Sequence, residues 1–227
     1  MKLNTIKETP LKNITTDGGN DILYGGMGND VLSSGDGDDR LFGGLGDDVL
    51  IISGIGDSIL DGGEGIDTFK IDLSNYTPPE GVTDFAYKAD LSTGFVGSKY
   101  DPKHVNNDDI VNIENIDYSG AYDAELIGDA KDNIIQSGDG DDYLYGGDGN
   151  DVLKSGAGDD YINSGRGTDI ITTGSGSDKI IIQSNQVSYT IDTTDRITDF
   201  EAGADNFSLD DIKFSDITIN QGTDAYA

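Results

Sequence analysis

Asp recurs in this chain at a fixed interval. Asp21, Asp30, Asp39, Asp48, Asp57 and Asp67 follow one another at 9, 9, 9, 9 and 10 residues, and Asp142, Asp151, Asp160, Asp169 and Asp178 at nine throughout. Such a period constrains a fold tightly, because each repeat becomes one structural unit that buries its apolar surface only by stacking on its neighbours. Two residues after each Asp stands a large apolar residue: Leu23, Leu32, Leu41, Leu50, Ile59 and Phe69 in the first run, Leu144, Leu153, Ile162, Ile171 and Ile180 in the second. Carried backwards, the second run keeps its period and its apolar residues (Leu126, Ile135) but loses the acid to Asn133 and Ala124. Gly fills the second and fourth places of most units, as in 25-GGMGNDVLS-33 and 146-GGDGNDVLK-154. The unit is G-G-x-G-x-D-x-U-x, with U apolar.

A six-residue turn must reverse the chain while aiming its carbonyl oxygens inward, and Gly supplies the backbone angles and the absent Cβ that this requires. The following x-U-x is a very short strand whose middle residue points to the opposite face from its neighbours. One inward U per nine residues builds a thin continuous core. Two units make a coil of about 18 residues, and coils stack roughly 4.8 Å apart. Asp then lies over Asp: Asp21, Asp39 and Asp57 on one side, Asp30, Asp48 and Asp67 on the other, with Asp142, Asp160 and Asp178 opposite Asp151 and Asp169.

Composition decides what could hold such a stack together. The 227 residues include 44 acids (38 Asp, 6 Glu) against 14 Lys and Arg, a net charge of −30, with 34% hydrophobic residues. That places the bare chain near the disordered regime, and it excludes direct binding to nucleic acid or anionic membrane, which needs clustered Lys and Arg. Zero Cys excludes disulfides and thiolate zinc sites. No apolar run is long enough to span a membrane, and no basic-plus-apolar signal peptide opens the chain. Two carboxylates about 4.8 Å apart repel by roughly 1 kcal/mol even at the dielectric of water. A divalent cation between them reverses the sign. Ca²⁺ takes six to eight oxygens in flexible geometry, carbonyls included, whereas Mg²⁺ demands an octahedron and keeps its waters; Zn²⁺ and copper favour His and Cys.

The repeats resemble the RTX (repeats-in-toxin) calcium-binding β-roll module, over about residues 12–210. The resemblance implies an all-β fold, a parallel β-roll or β-helix solenoid of nonapeptide repeats in two arrays with a C-terminal β cap. It divides the chain into a lead-in (1–15), a first array (16–70), an inter-array β segment (71–118), a second array (119–184) and a capping segment (185–227). It implies that the eleven sixth-position Asp named above ligate Ca²⁺, with turn carbonyls from Gly26, Gly28, Gly35, Gly37, Gly44, Gly46, Gly138, Gly140, Gly147, Gly149, Gly156, Gly158, Gly165 and Gly167. If each ion bridges two stacked turns, roughly seven to nine ions are expected.

Some units depart from the pattern. The first, 16-TDGGNDILY-24, lacks the paired Gly at its start; Ile55 stands where a Gly belongs in 52-ISGIGDSIL-60, and Asp61 reads as an extra residue before the next turn. The turns with Asn133 and Ala124 are expected to be weakly occupied or empty. Residues 71–118, with 84-DFAYKADLSTGFV-96 and 109-DIVNIENIDY-118, resemble the segment that precedes a fresh RTX array and would continue the solenoid; the other reading is a linker between two rolls. The run 195-DRITDFEAGADNFSL-209 resembles the segment that closes many arrays. There Asp199 is a candidate for a last ion, and Phe200, Phe207 and Phe214 could cover the core.

Other readings fit less well. No EF-hand loop with its twelfth-position Glu is present, and the Gly-rich turns lack the following helix of a nucleotide site. His104, the one His, lies in a polar loop with no nucleophile arrangement around it. Asp101-Pro102 matches the bond that some RTX proteins cleave in themselves, without the surrounding self-processing module. Tyr24, Tyr143, Tyr145 and Tyr161 read as outward residues, with a glycan-binding strip as the alternative. The expected function is a non-enzymatic, secreted module, extracellular or at a bacterial cell surface, whose folding is switched on by Ca²⁺. The resemblance implies a type I exporter as partner during secretion, with an uncleaved C-terminal secretion signal in this last region. The module would be part of an adhesin, toxin or free calcium-binding protein; the alternative is the C-terminal folding module of an RTX protease, lipase or epimerase. Met1 close before the repeats fits a short protein or a fragment equally.

Overall fold

The computed structural model describes residues 3–4, 12–53, 56–72, 86–98, 108–183 and 195–210, and among them there are strands and turns but no helix. The lead-in and first array form β1 (Leu3–Asn4), β2 (Asn13–Thr15), β3 (Ile22–Met27), β4 (Val31–Ser34), β5 (Arg40–Leu45), β6 (Val49–Ile52), β7 (Ile59–Glu64) and β8 (Thr68–Asp72). The middle segment forms β9 (Ala86–Asp90), β10 (Phe95–Ser98), β11 (Asp108–Val111) and β12 (Asn115–Ser119). The second array and its end form β13 (Asp123–Ile127), β14 (Ile134–Gln136), β15 (Tyr143–Asp148), β16 (Val152–Lys154), β17 (Tyr161–Arg166), β18 (Ile170–Thr172), β19 (Lys179–Gln183), β20 (Arg196–Ile197) and β21 (Asn206–Asp210).

Alternate strands fall into two sheets. The longer has 12 strands in the order β1-β3-β5-β7-β11-β10-β9-β13-β15-β17-β19-β21, and the shorter has nine, β2-β4-β6-β8-β12-β14-β16-β18-β20. Within each array every pairing is parallel and advances one coil: Leu23 lies beside Leu41, Leu41 beside Leu60, Leu144 beside Ile162 and Ile162 beside Ile180. These inward residues form the core, and Leu23, Leu32, Leu41, Leu50, Phe69, Leu144, Leu153, Ile162, Ile171 and Ile180 are fully buried. Period 2 in a three-residue strand thus suffices to define an inside. One expected residue differs. Leu60, not Ile59, points inward, since Ile59 pairs with Arg40 and Leu60 with Leu41.

The middle segment continues the solenoid. On the short sheet β12 sits directly between β8 and β14, all parallel. On the long sheet β11 joins β7 and β9 joins β13 in parallel, with β10 antiparallel to both β9 and β11. The long sheet therefore gains two strands that the short sheet lacks, about 10 Å of extra width. Larger side chains fill it. Tyr118 is fully buried, its ring stacks on Tyr87 at 6.1 Å, and its hydroxyl donates to the Tyr122 carbonyl at 2.9 Å. Ala89, Val96, Ile110 and Ile113 complete the packing.

At the far end of the described residues, Phe207 and Ile197 pair in register with Ile180 and Ile171 as a last layer over the core, and Phe200 meets Phe207 edge-on at 5.8 Å, both rings remaining exposed on their outer side. Phe214, His104, Asp101-Pro102 and the C-terminal tail lie outside the described residues. Tyr118→Ala is expected to lower stability in saturating calcium by about 3–5 kcal/mol, and Tyr143→Ala, half exposed on the outer face, by about 1 kcal/mol or less. Denaturant unfolding measures both; equal losses would contradict the packing described.

Candidate metal centres in the turn columns

Turns stack on both edges of the solenoid. The first column contains the turns 25–30, 43–48, 62–67, 128–133, 146–151 and 164–169, and the second 16–21, 34–39, 53–58, 119–124, 137–142, 155–160 and 173–178. At each sixth position the two carboxylate oxygens have different fates. Oδ1 accepts the backbone N–H of the sixth residue one coil earlier: Asp48 from Asp30 at 2.6 Å, Asp160 from Asp142 at 2.8 Å, Asp169 from Asp151 at 2.9 Å. Oδ2 is buried and has no hydrogen-bond partner in Asp30, Asp39, Asp48, Asp67, Asp108, Asp142, Asp151, Asp160, Asp169 and Asp178. A buried charged oxygen without a partner is costly. Its repetition along two columns marks a place built for a cation.

Main-chain oxygens face the same spaces. The carbonyls at the second and fourth positions point at the same positions of the next coil, so a Cβ on Gly44 would run into the Gly26 carbonyl, and one on Gly167 into that of Gly149. Both residues have positive φ, 117° and 151°, which no Cβ-bearing residue adopts readily. In the first column the opening Gly also leaves room beside the acid: a Cβ on Gly25 would lie 2.7 Å from Asp30 Oδ2 and against the Gly43 carbonyl. In the second column Ser or Thr takes this first place. Ser137 Oγ donates to the Ser155 carbonyl at 2.5 Å and Ser155 Oγ to that of Thr173 at 2.6 Å, a ladder that the Gly-based motif did not reveal.

A further ladder runs the other way. At the fifth position the side-chain oxygen caps the N–H of the fifth residue one coil later, as Asn29 does for Asp47 (3.0 Å), Asp141 for Asp159 (2.8 Å) and Asp132 for Asn150 (2.7 Å). The fifth and sixth positions of a turn thus have separate tasks. The fifth stitches coils together on the outside, and the sixth leaves one oxygen for an ion inside.

Burial, reinforced by the stacked acid of an adjacent coil, pushes the sixth-position carboxyls up: Asp142 to about 8, Asp151 to about 7, Asp67 and Asp160 to about 6. The N–H that each accepts opposes the rise without cancelling it. The donor set is oxygen only. Among the described residues no three His, Cys, Asp or Glu side chains converge as a cluster, so an ion here takes most of its ligands from the main chain. That shell suits Ca²⁺ and not a transition metal.

Most of the expected ligands fall where the register placed them, with two exceptions. Asp57 is exposed and stands in the fifth position, where its N–H is capped by Asp38; Ser58 takes the sixth, its hydroxyl accepting from Asp39 N–H at 3.2 Å. The extra residue therefore lies between Ile52, which pairs with Ser34, and Gly56, which stacks on Gly37, and Asp61 belongs to β7. Asp199 has both oxygens engaged by the last turn, Oδ1 by Thr173 N–H and Oδ2 by Gly174 N–H, each at 2.9 Å, and so caps the column where the other acids leave Oδ2 unpaired. Asp21 stands at the start of its column and passes its N–H to Asp39. Asn133 carries an amide satisfied within its own surroundings, and Ala124 has no oxygen to offer.

The structure also places residues that the nonapeptide period missed. Asp108, pushed up to about 7 by burial, accepts Ser58 N–H at 2.7 Å and continues the second column. Glu114 takes the sixth position in the first, accepting Asp67 N–H at 3.0 Å. Asp195 and Asp205 receive the N–H groups of Asp169 and Asp178 at the far end. Each is separated from its predecessor by an insertion, 26 or more residues against the usual 18 or 19. The aromatic residues form short outer ladders, Tyr24 on Phe42 at 5.0 Å and Tyr161 between Tyr143 and Tyr145, with the Lys179 ammonium 5.3 Å from the Tyr161 ring.

The family model of the RTX calcium-binding nonapeptide repeat (4 copies) matches residues 15–50, 118–153 and 145–180. Over those stretches the chain carries RTX calcium-binding nonapeptide repeats, and its all-β parallel solenoid is the architecture expected of an RTX β-roll. No curated protein gave a match.

Two outcomes are expected. The metal-free fold holds protons on the raised carboxyls that the unfolded chain, with ordinary values near 3.8, releases. Protonation therefore stabilises the metal-free fold at low pH, and that support is lost as pH rises through about 6 to 8. In EDTA the chain should therefore show more β signal by circular dichroism near pH 4 than near pH 8; equal signal at the two would contradict the raised carboxyls. Asp151→Ala should weaken binding cooperatively by tenfold or more, on the order of 1.4 kcal/mol, while Asp57→Ala should leave it nearly unchanged. Equal effects would contradict the register.

Proposed function

We propose that this chain is a calcium-dependent folding module of a secreted RTX protein, with a structural and not a catalytic role. The observation that carries this reading is the set of ten Asp Oδ2 atoms buried without partners. At low calcium, as in a bacterial cytosol, these charges oppose the folded state, and the −30 chain stays expanded and suited to threading through a type I exporter. Outside the cell, each Ca²⁺ binds only where two turns are stacked and stabilises the fold by RT ln(1 + [Ca²⁺]/Kd), about 1.4 kcal/mol per site at ten times Kd. Roughly seven to nine ions, one for each adequate pair of turns, bring that sum to the scale of a whole domain's stability, about 5–15 kcal/mol.

Shared turns make binding cooperative, since an ion that fixes one coil presents a formed turn to the next. The product is a stiff rod suited to an adhesin, a toxin or a free-standing secreted calcium-binding protein. Circular dichroism in EDTA, then with Ca²⁺ and separately Mg²⁺, tests the switch. Little β signal in EDTA, a steep sigmoidal rise with Ca²⁺ and a weak response to Mg²⁺ are expected; full β signal in EDTA would overturn the proposal.

A further inference from the structure

The first column does not begin with an acid. Counting back 18 residues from Asp30 gives Lys12, and its backbone occupies the sixth position: Lys12 N–H donates to Asp30 Oδ1 at 2.7 Å, and its carbonyl accepts Val31 N–H at 2.7 Å, as Asp30's accepts Val49 N–H. The side chain of Lys12 is buried, 7% exposed, and its ammonium donates to the Gly25 carbonyl. It lies 3.3 Å from where a Cβ on Gly26 would stand, the space toward which other coils direct a second-position carbonyl. We propose that the Lys12 ammonium is a tethered cation that takes the place of a calcium ion at the start of the first column. This inference rests on the calcium reading of the later turns.

Charge arithmetic supports the exchange. An Asp with one Ca²⁺ contributes a net charge of about +1, and one Lys contributes the same without any metal. Lys12 also acts two coils on, where its positive charge lowers the Asp48 carboxyl against the larger rise caused by burial. A second lysine marks the other interruption of this column. Between the short turn 112–114 and the turn 128–133, Lys131 stands at the fourth position in place of Gly, and its ammonium donates to Glu114 Oε1 at 2.5 Å. Neither Glu114 nor Asn133 has a buried oxygen left without a partner. At this second break the lysine stands where no orphan oxygen is left to call for an ion.

The test compares the unaltered chain with Lys12→Met, which keeps the stem and removes the charge, and Lys12→Asp, which restores an acid. Hydrogen exchange of the amides of residues 22–31 is followed over a calcium series, with residues 143–172 as an internal reference for folding. In Lys12→Met, exchange of 22–31 should quicken about tenfold at every calcium concentration at which the reference is protected. In Lys12→Asp it should be equally fast at low calcium and return towards the unaltered chain at high calcium. Protection of 22–31 in Lys12→Met equal to the unaltered chain would overturn the proposal. So would Lys12→Asp that stays as fast as Lys12→Met at saturating calcium, since the charge would then matter without standing for an ion. If the reference segment of the unaltered chain gains no protection with calcium, the calcium reading itself fails, a result distinguishable from either of these.

Discussion

A carboxylate stacked on a carboxylate, coil after coil, is the constraint on which this molecule depends. The sixth-position Asp spends Oδ1 on the backbone of the preceding coil and keeps Oδ2 buried and unpaired. Shorter than Glu, Asp can hold both oxygens beside its own turn, which explains why 38 of the 44 acids are Asp. The apolar core that must offset this repulsion is thin, with one inward residue in nine. Few ion pairs assist it among the described residues; Lys70–Asp117 and Lys88–Glu125 bridge neighbouring strands on partly exposed surface, where such pairs contribute little. The balance therefore passes to whatever cation enters the columns.

The irregular parts of the chain are the places where that constraint is met by other means. At the far end Asp195, Asp199 and Asp205 turn their oxygens onto the last coil's N–H groups, closing both columns with hydrogen bonds. In the middle, the two extra strands of the long sheet separate the arrays, and stacked Tyr87 and Tyr118 replace the usual Leu or Ile there. This segment adds Ala89, Val96, Ile110 and Ile113 to the core around the two rings.

Much of this was legible in the sequence because the period of nine encodes position directly. The strands, the inward residues and ten of the eleven stacked Asp follow from counting. Counting fails where the chain length between equivalent positions changes. At 53–58 one added residue moved Asp57 outward and brought in Ser58, and period alone could not say on which side of the Asp the insertion lay. Asp108, Glu114, Asp195 and Asp205 are placed by sheet pairing across long insertions, which no local pattern reports. The two ladders were illegible for another reason: Asp at the fifth and sixth positions are chemically identical, and only burial separates their tasks.

The central claim is that the buried sixth-position Oδ2 atoms, and not the exposed acids beside them, hold calcium. Anomalous X-ray scattering from calcium-loaded crystals tests it most directly. The expected result is two rows of calcium peaks, each within about 2.3–2.6 Å of a sixth-position carboxylate oxygen and of turn carbonyls, with none at the Asn133 turn. Peaks gathered instead at the fifth-position acids, such as Asp38 and Asp141, would contradict it.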